Sequence, residues 1–322
     1  MDTKNILAIS EPEKLFSKEG IRKEYKVLSK KFHPDNYIFG SSAVFKKVND
    51  LYTKGLKKIS DNTWDNSELI LYDKILNKDF KFKYIEKEVT EYGKRFISKQ
   101  HIVLTTKLDD FANIFRFNAN LCQTYLSKST KMHDNFTNLI PIIGEYRLTS
   151  NIYGDVLLLE IPTPEFQTVQ SILDKYSVIN HKQATWIISR LMNLVVLLNK
   201  SGLVHNGISS NSVFINGPEH TAALLDGWWY STRKGTRVKS IKTKDIVLLS
   251  KKERESKITT SKFDIECVKR LGRNLETDDT PKQIKHWLKL PASKDVLLEL
   301  SNWQNKIIIS AYGERKFTPW EL

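Results

Sequence analysis

The segment that most restricts how this chain can fold is "HKQATWIISRLMNLVVLLNKSG". Ala184, Ile187, Ile188, Leu191, Leu194, Val195 and Leu198 recur at helical spacing, and Gly202 supplies a stop. A helix with so broad an apolar face must be buried on most sides, which places it at the centre of a lobe. Two short strands follow, "SVFIN" and "TAALLDG". A basic polar stretch then runs from Arg233 to Lys262, and further helices reach the C-terminus.

Upstream, the texture is different. "FKFKYIEKEVTEYGKRFISKQHIVLTT" alternates over much of its length and carries Gly93 at a plausible bend, as a hairpin would. More strand candidates lie in "LCQTYLSK", "LIPIIGEYRL" and "YGDVLLLEIP". The segment 59–79 is polar and suits a linker or short connecting helix. Before it, residues 14–58 read as helices. In "IRKEYKVLSKKF", Ile21, Tyr25, Leu28 and Phe32 form one stripe, with Arg22, Lys23, Lys26 and Lys30 mainly on other faces. "AVFKKVNDLYTKGL" repeats the pattern with Phe45, Val48 and Tyr52. Between them, Pro34 disfavours helical geometry at His33, so the tripeptide His33, Pro34, Asp35 sits at the tip of a loop joining two antiparallel helices.

A length of 322 residues suggests two or three units, and 40% hydrophobic residues suffice for buried cores. The fold class expected is α+β. The expected boundaries are a helical unit over 1–60, a linker and the start of a hairpin over 61–90, a mainly strand lobe over 91–164 and a mainly helical lobe over 165–322. A net charge of +14 favours acidic partners, whether a protein face, nucleic acid or a phosphorylated ligand, although a lysine-rich solvated surface would give the same charge. Cys122 and Cys267 are far apart and lack a His or Cys at ligand spacing, so neither a disulfide framework nor a metal site is expected. The N-terminus has no long apolar core and the run "LMNLVVLLN" is too short to span a bilayer. A cytoplasmic protein without a membrane partner is therefore expected.

The first sixty residues resemble the DnaJ-type J-domain: "EYKVLSKKFHPDNY" looks like its second helix and loop, and "AVFKKVNDLYTKGL" its third helix. "EPEKLFSKEG" allows only a short first helix, and no clear fourth follows. The resemblance implies docking on a DnaK-type chaperone ATPase, with His33, Pro34 and Asp35 as the trigger and Arg22, Lys23, Lys26 and Lys30 as the basic docking face. A lysine-lined helix also steers toward an acidic partner on physical grounds.

Most of residues 90–322 resembles the protein-kinase core. "SGLVHNGISSNSVFIN" stands where the catalytic loop would be and "TAALLDGWW" where the metal-binding strand ends, which aligns Asp226-Gly227 with the start of Asp-Phe-Gly. "KFDIECVKRLG" places Asp264 where a carboxylate braces the catalytic loop. Against His-Arg-Asp-x-x-x-x-Asn the chain has His205, Asn206, Gly207 and, at the last position, Ser212. "KLDDFANIF" is the candidate phosphate loop and has no glycine. Lys128 is the candidate nucleotide lysine, with Lys107 as runner-up, and no Glu is suitably placed to pair with it. These departures predict a non-enzyme, a pseudokinase without an expected cofactor, although ATP and magnesium stay open. "AYGERKFTPWEL" and "LLDGWWYS" resemble segments of a bacterial and phage group that joins a short J-like domain to a degenerate kinase fold.

The resulting expectation is a co-chaperone adaptor whose kinase-like body holds an unknown client. The alternatives are an atypical kinase or nucleotide-binding enzyme using Asp226 and Lys128, and a nucleic-acid-binding protein. The last would use the run of Arg233, Lys234, Arg237, Lys239, Lys242 and Lys244, although few aromatics interleave there for base stacking.

Overall fold

In a computed structural model, residues 3–9, 11–60, 64, 68–90, 93–106, 142–143, 148–150, 154–238, 241, 243–314 and 320 are described. The chain divides into two compact units, Met1–Leu69 and Ile70–Leu322.

The first unit is helical. α1 (Thr3–Ala8), a 3₁₀ turn at Pro12–Lys14, α2 (Ile21–Phe32) and α3 (Ser42–Ser60) enclose a small core of Ile6, Phe16, Ile21, Phe32, Val44, Val48 and Leu51, with Trp64. α2 stops at His33, whose φ of −55° and ψ of 138° are the extended geometry that Pro34 requires. α2 and α3 are tied by Tyr25, which stacks on Tyr52 at 3.9 Å and donates its hydroxyl to Asn49 Oδ1 at 2.9 Å. At Gly55 α3 lies close against its neighbours, since a Cβ there would be 2.5 Å from Ile21 Cδ1. The expected short helix in 11–20 is only the 3₁₀ turn. The additional helix is α1, which lies earlier, where Ile6 and Ile9 provide a buried pair too short to show a period.

Strand pairing begins at Glu68, inside the segment expected to be a linker. β1 (Glu68–Asp73) and β2 (Lys78–Lys83) extend a sheet that also contains β3 (Glu86–Val89), β4 (Lys94–Ile97), β5 (His101–Thr106), β6 (Ile142–Ile143), β7 (Leu148–Ser150) and β8 (Gly154–Glu160). The order is β2-β1-β7-β8-β5-β4-β3, with β6 also on β8. Leu69 and Leu71 alternate with less buried neighbours along β1, the period of a strand with one covered face. β3, β4 and β5 form an antiparallel meander in the register Arg95↔Leu104 and Ile97↔Ile102.

The helical lobe is built on α5 (His181–Lys200), preceded by β9 (Gln167–Thr168) and α4 (Val169–Tyr176). Asn180 caps α5 by accepting from the Lys182 N–H. Its Ile187, Leu191 and Val195 are fully buried, and one apolar core runs from Ile102, Leu104 and Leu159 of the sheet through α5 to Trp287 and Trp303. After α5 come β10 (Leu203–Val204), the hairpin β11 (Val213–Asn216) and β12 (Thr221–Leu224), and β13 (Thr232–Arg233), which pairs with β10. α6 (Lys251–Ser256), α7 (Ser261–Asn274), α8 (Lys282–Lys289), α9 (Val296–Asn302) and α10 (Ile308–Tyr312) complete it. No described helix is long and apolar enough to cross a membrane.

Candidate functional site

The loop between β10 and β11 is held from below by α7. Asp264, fully buried in the first turn of α7, accepts the backbone N–H groups of His205 and Asn206, both at 2.8 Å. Burial pushes its carboxyl up to about 7, with the two backbone N–H groups pulling the other way. Asn206 takes a positive φ of 61° and donates its amide to the Tyr230 carbonyl at 2.9 Å and to Thr232 Oγ1 at 3.1 Å, joining this loop to the segment after β12.

Gly207 and Gly227 meet where the two segments cross. A Cβ on Gly207 would lie 2.6 Å from the Gly227 carbonyl oxygen and 3.0 Å from Tyr230 Cδ2, and one on Gly227 would lie 2.8 Å from the Gly207 oxygen. Gly227 also has a φ of 84°, which favours glycine for a second reason. The position aligned with the kinase aspartate therefore has no room for any side chain as the loop is folded. Ser212 closes this turn by donating to the Gly207 carbonyl at 2.7 Å and accepting the Ser209 N–H at 2.9 Å. The following 3₁₀ turn buries Trp228, Trp229 and Tyr230, with the Trp228 ring donating to the Leu224 carbonyl and standing edge-on to His205.

Asp226 follows β12 by two residues and is 3% exposed. One oxygen accepts the Gly227 N–H at 2.6 Å, and the other is paired with Nε of Arg95. Arg95, only 4% exposed, projects from β4 and makes two more contacts. Nη1 reaches Glu88 Oε2 on β3 at 2.8 Å, and Nη2 donates to the Asn211 carbonyl at 2.6 Å. Glu88 then accepts the Asn211 side-chain amide at 3.1 Å. The paired strands β3 and β4 thus reach Asp226 through Arg95, and Gly93 packs against Thr105, whose carbonyl oxygen would be 1.8 Å from an added Cβ.

Sequence reasoning missed Arg95, Glu88 and Asn211 as a group. A signal was present: Arg95 shares its sheet face with Ile97, so the alternation puts a cation at an inward position of the "YGKRFI" strand. Lys128, Lys107 and "KLDDFANIF" lie outside the described residues. Among the described residues, no group of three or more His, Cys, Asp or Glu could hold a metal. Both Asp226 oxygens are occupied, Ser212 is turned to Gly207 and the Asn211 amide to Glu88, so this arrangement does not fit the oxygen shell of a divalent cation.

In the helical unit, His33, Pro34 and Asp35 are exposed at the loop tip. Asp35 N–H donates to His33 Nδ1 at 3.3 Å, and the His33 ring stands edge-on to Phe45 at 5.1 Å. Arg22, Lys23, Lys26 and Lys30 are exposed along α2, while Lys31 folds over Phe39. In the basic run, Arg233, Lys234 and Arg237 are exposed and Lys234 reaches Asn199 Oδ1 at 3.1 Å. Lys239, Lys242 and the Lys244 side chain lie outside the described residues.

The sheet meander, the central helix, the braced loop and the aspartate-glycine strand end define a kinase-like fold. The chain is similar to vaccinia-related kinase 3, with a TM-score of 0.51 at 13% identity over 73% of this chain and 89% of that one. The Cydia pomonella granulovirus kinase aligns over 81% and 98% at 13% identity, with a TM-score of 0.49. No protein-family model and no curated protein matches. The vaccinia-related kinase comparison supports the kinase-like fold and lends no support to the chaperone reading. It also overturns the expectation of a non-enzyme: the fold is that of a solved kinase, and an altered loop sequence does not show inactivity. That expectation rested on Gly207 and Ser212 at the aligned catalytic positions and on the glycine-free "KLDDFANIF"; apart from these, a buried cation, Arg95, stands on β4.

Proposed function

We propose that the second unit is a nucleotide-binding enzyme of the kinase fold, an atypical phosphotransferase in which Arg95 is the phosphate-binding cation. The observation that carries this reading is the buried Arg95–Asp226 pair, which joins β4 of the sheet to the aspartate-glycine segment after β12. Phosphoryl transfer is catalysed mostly by positioning and by neutralising charge on the phosphate oxygens. A guanidinium suits that task, since its planar fork of N–H donors matches phosphate oxygens in pairs. Asp264 acts one step back by fixing the loop backbone at His205 and Asn206. The test is a thermal-shift titration with ATP, with and without magnesium. A ligand that binds only the folded state stabilises it by about 2.7 kcal/mol at a hundredfold excess over Kd. A rise in the midpoint is expected, and no rise at millimolar nucleotide contradicts the reading.

A second reading concerns the helical unit, which we propose docks on an acidic ATPase of the DnaK type. It is favoured by the row Arg22, Lys23, Lys26 and Lys30, all exposed beside the exposed His33, Pro34 and Asp35. Replacing His33 by Gln is expected to abolish stimulation of the chaperone ATPase at low salt with no change in unfolding midpoint. Equal stimulation by both forms would contradict it.

A further inference from the structure

We propose that Glu88 is the internal anion with which a ligand's phosphates compete for Arg95, so that the site selects ligands carrying phosphate over neutral nucleosides. The inference deepens the nucleotide reading and rests on it.

Arg95 has two carboxylate partners, and they differ in how firmly they are held. Asp226 is 5% exposed at its side chain and is fixed by the Gly227 N–H as well. Glu88 is 36% exposed at its side chain and lies on β3, opposite Arg95 in the sheet register. Of the two, Glu88 is therefore the partner already in contact with solvent and the one more readily displaced. An anionic ligand entering from solvent meets Glu88 first.

Glu88 also links the lobes. Its Oε2 binds Arg95 of the strand lobe and its Oε1 binds the Asn211 amide of the helical lobe. Arg95 Nη2 adds a bond to the Asn211 carbonyl. These three bonds form a closed ring across the two lobes. A ligand must open that ring, and only one that brings its own negative charge restores what Arg95 loses. A neutral nucleoside offers no such replacement, and the buried guanidinium would be left short of a partner. Negative charge on the ligand also repels Glu88, so a bound phosphate takes its place on Arg95 rather than sitting beside it.

Removing the Glu88 carboxylate should therefore raise the fraction of molecules open to ligand, and apparent affinity rises in proportion to that fraction. Charge-assisted hydrogen bonds contribute enough for a gain of about tenfold, with allowance made for Glu88's exposure. The experiment is calorimetric titration of ATP and of adenosine into the full chain as wild type, Glu88→Ala and Asn211→Ser. Asn211→Ser removes the amide but keeps the backbone carbonyl, and so opens the ring from its other side without touching either charge.

The expected result is roughly tenfold tighter ATP binding by Glu88→Ala, a smaller gain for Asn211→Ser and no gain for adenosine. ATP affinity unchanged or weakened in both variants, with the wild type binding, overturns the proposal and leaves the nucleotide reading standing. An equal gain for adenosine and ATP also overturns it, because Glu88 would then act as a steric lid. If none of the three chains binds ATP, the nucleotide reading fails and the proposal with it.

Discussion

Replacing Gly207 by Ala tests the crossing of the two loops with a single methyl group. Two effects oppose one another. If the position had space, alanine would stabilise the protein by about 0.4–1 kcal/mol, because it restricts the unfolded chain, and Gly207 does not have the positive φ that would penalise it. The structure leaves no such space. The added Cβ would lie 2.6 Å from the Gly227 carbonyl oxygen and 3.0 Å from Tyr230 Cδ2. The nearer atom is backbone, and Gly227 cannot retreat easily because its N–H is bound to Asp226. Overpacking of this kind costs about 1–3 kcal/mol. The net expectation is a loss of about 1–2 kcal/mol once the entropic gain is subtracted. Urea denaturation followed by tryptophan fluorescence reads this out, since Trp228, Trp287 and Trp303 are all buried in the helical lobe. A lower midpoint at unchanged slope supports the close crossing. An unchanged or raised midpoint would refute it, and with it the steric account of why no aspartate stands at position 207.

Three further outcomes follow from other buried groups. Asp264→Asn leaves one of the His205 and Asn206 N–H groups facing an amide NH₂, so urea titration should show a loss of about 1–3 kcal/mol. The pH dependence has a defined sign, because the folded carboxyl is raised from 3.8 to about 7. Between those values the folded chain holds a proton that the unfolded chain has lost, so this group's contribution to stability falls as pH rises from about 4 to about 7 and is flat above. Comparing wild type with Asp264→Asn across that range should show the falling segment only in the wild type. Glu299→Gln strips the buried Lys269 of its carboxylate, leaving the Leu290 carbonyl and the Trp287 ring as partners. Thermal or urea unfolding should register a loss of about 3–5 kcal/mol, as for other broken buried pairs.

How much of this was legible in the sequence depended on whether the cause was local. α5 could be read from its periodicity, α2 from its stripe and its Pro34 stop, and the hairpin around Gly93 from alternation. β1 and β2 were not legible: Leu69 and Leu71 alternate over too few residues to stand out, and β1 is fixed by pairing with distant β7, with β2 beside it at the sheet edge. α1 is only six residues long with one fully buried side chain, Ile6, too short for a period, and its Ile6 joins the core that α3 lines. Within the site, Asp226 and Asp264 were visible because each sits in a recognisable local run. Arg95, Glu88 and Asn211 come together only through folding: Arg95 and Asn211 are 116 residues apart, and Glu88 and Asn211 are 123. No local pattern joins them. The substitution at position 207 was legible as a change of residue. Its cause, the approach of Gly227, was not.

The most direct test of the account is calorimetric titration of ATP into the wild-type chain and into Arg95→Lys. Lysine keeps a positive charge opposite Asp226, so the variant avoids leaving a buried carboxylate unpaired. It loses the forked donors, and an exchange of arginine for lysine at such a site is not conservative. The account predicts saturable binding by the wild type and affinity at least about tenfold weaker in the variant, the size of one lost charge-assisted bond. No binding by the wild type at millimolar ATP, or equal affinity in the two chains, would contradict it.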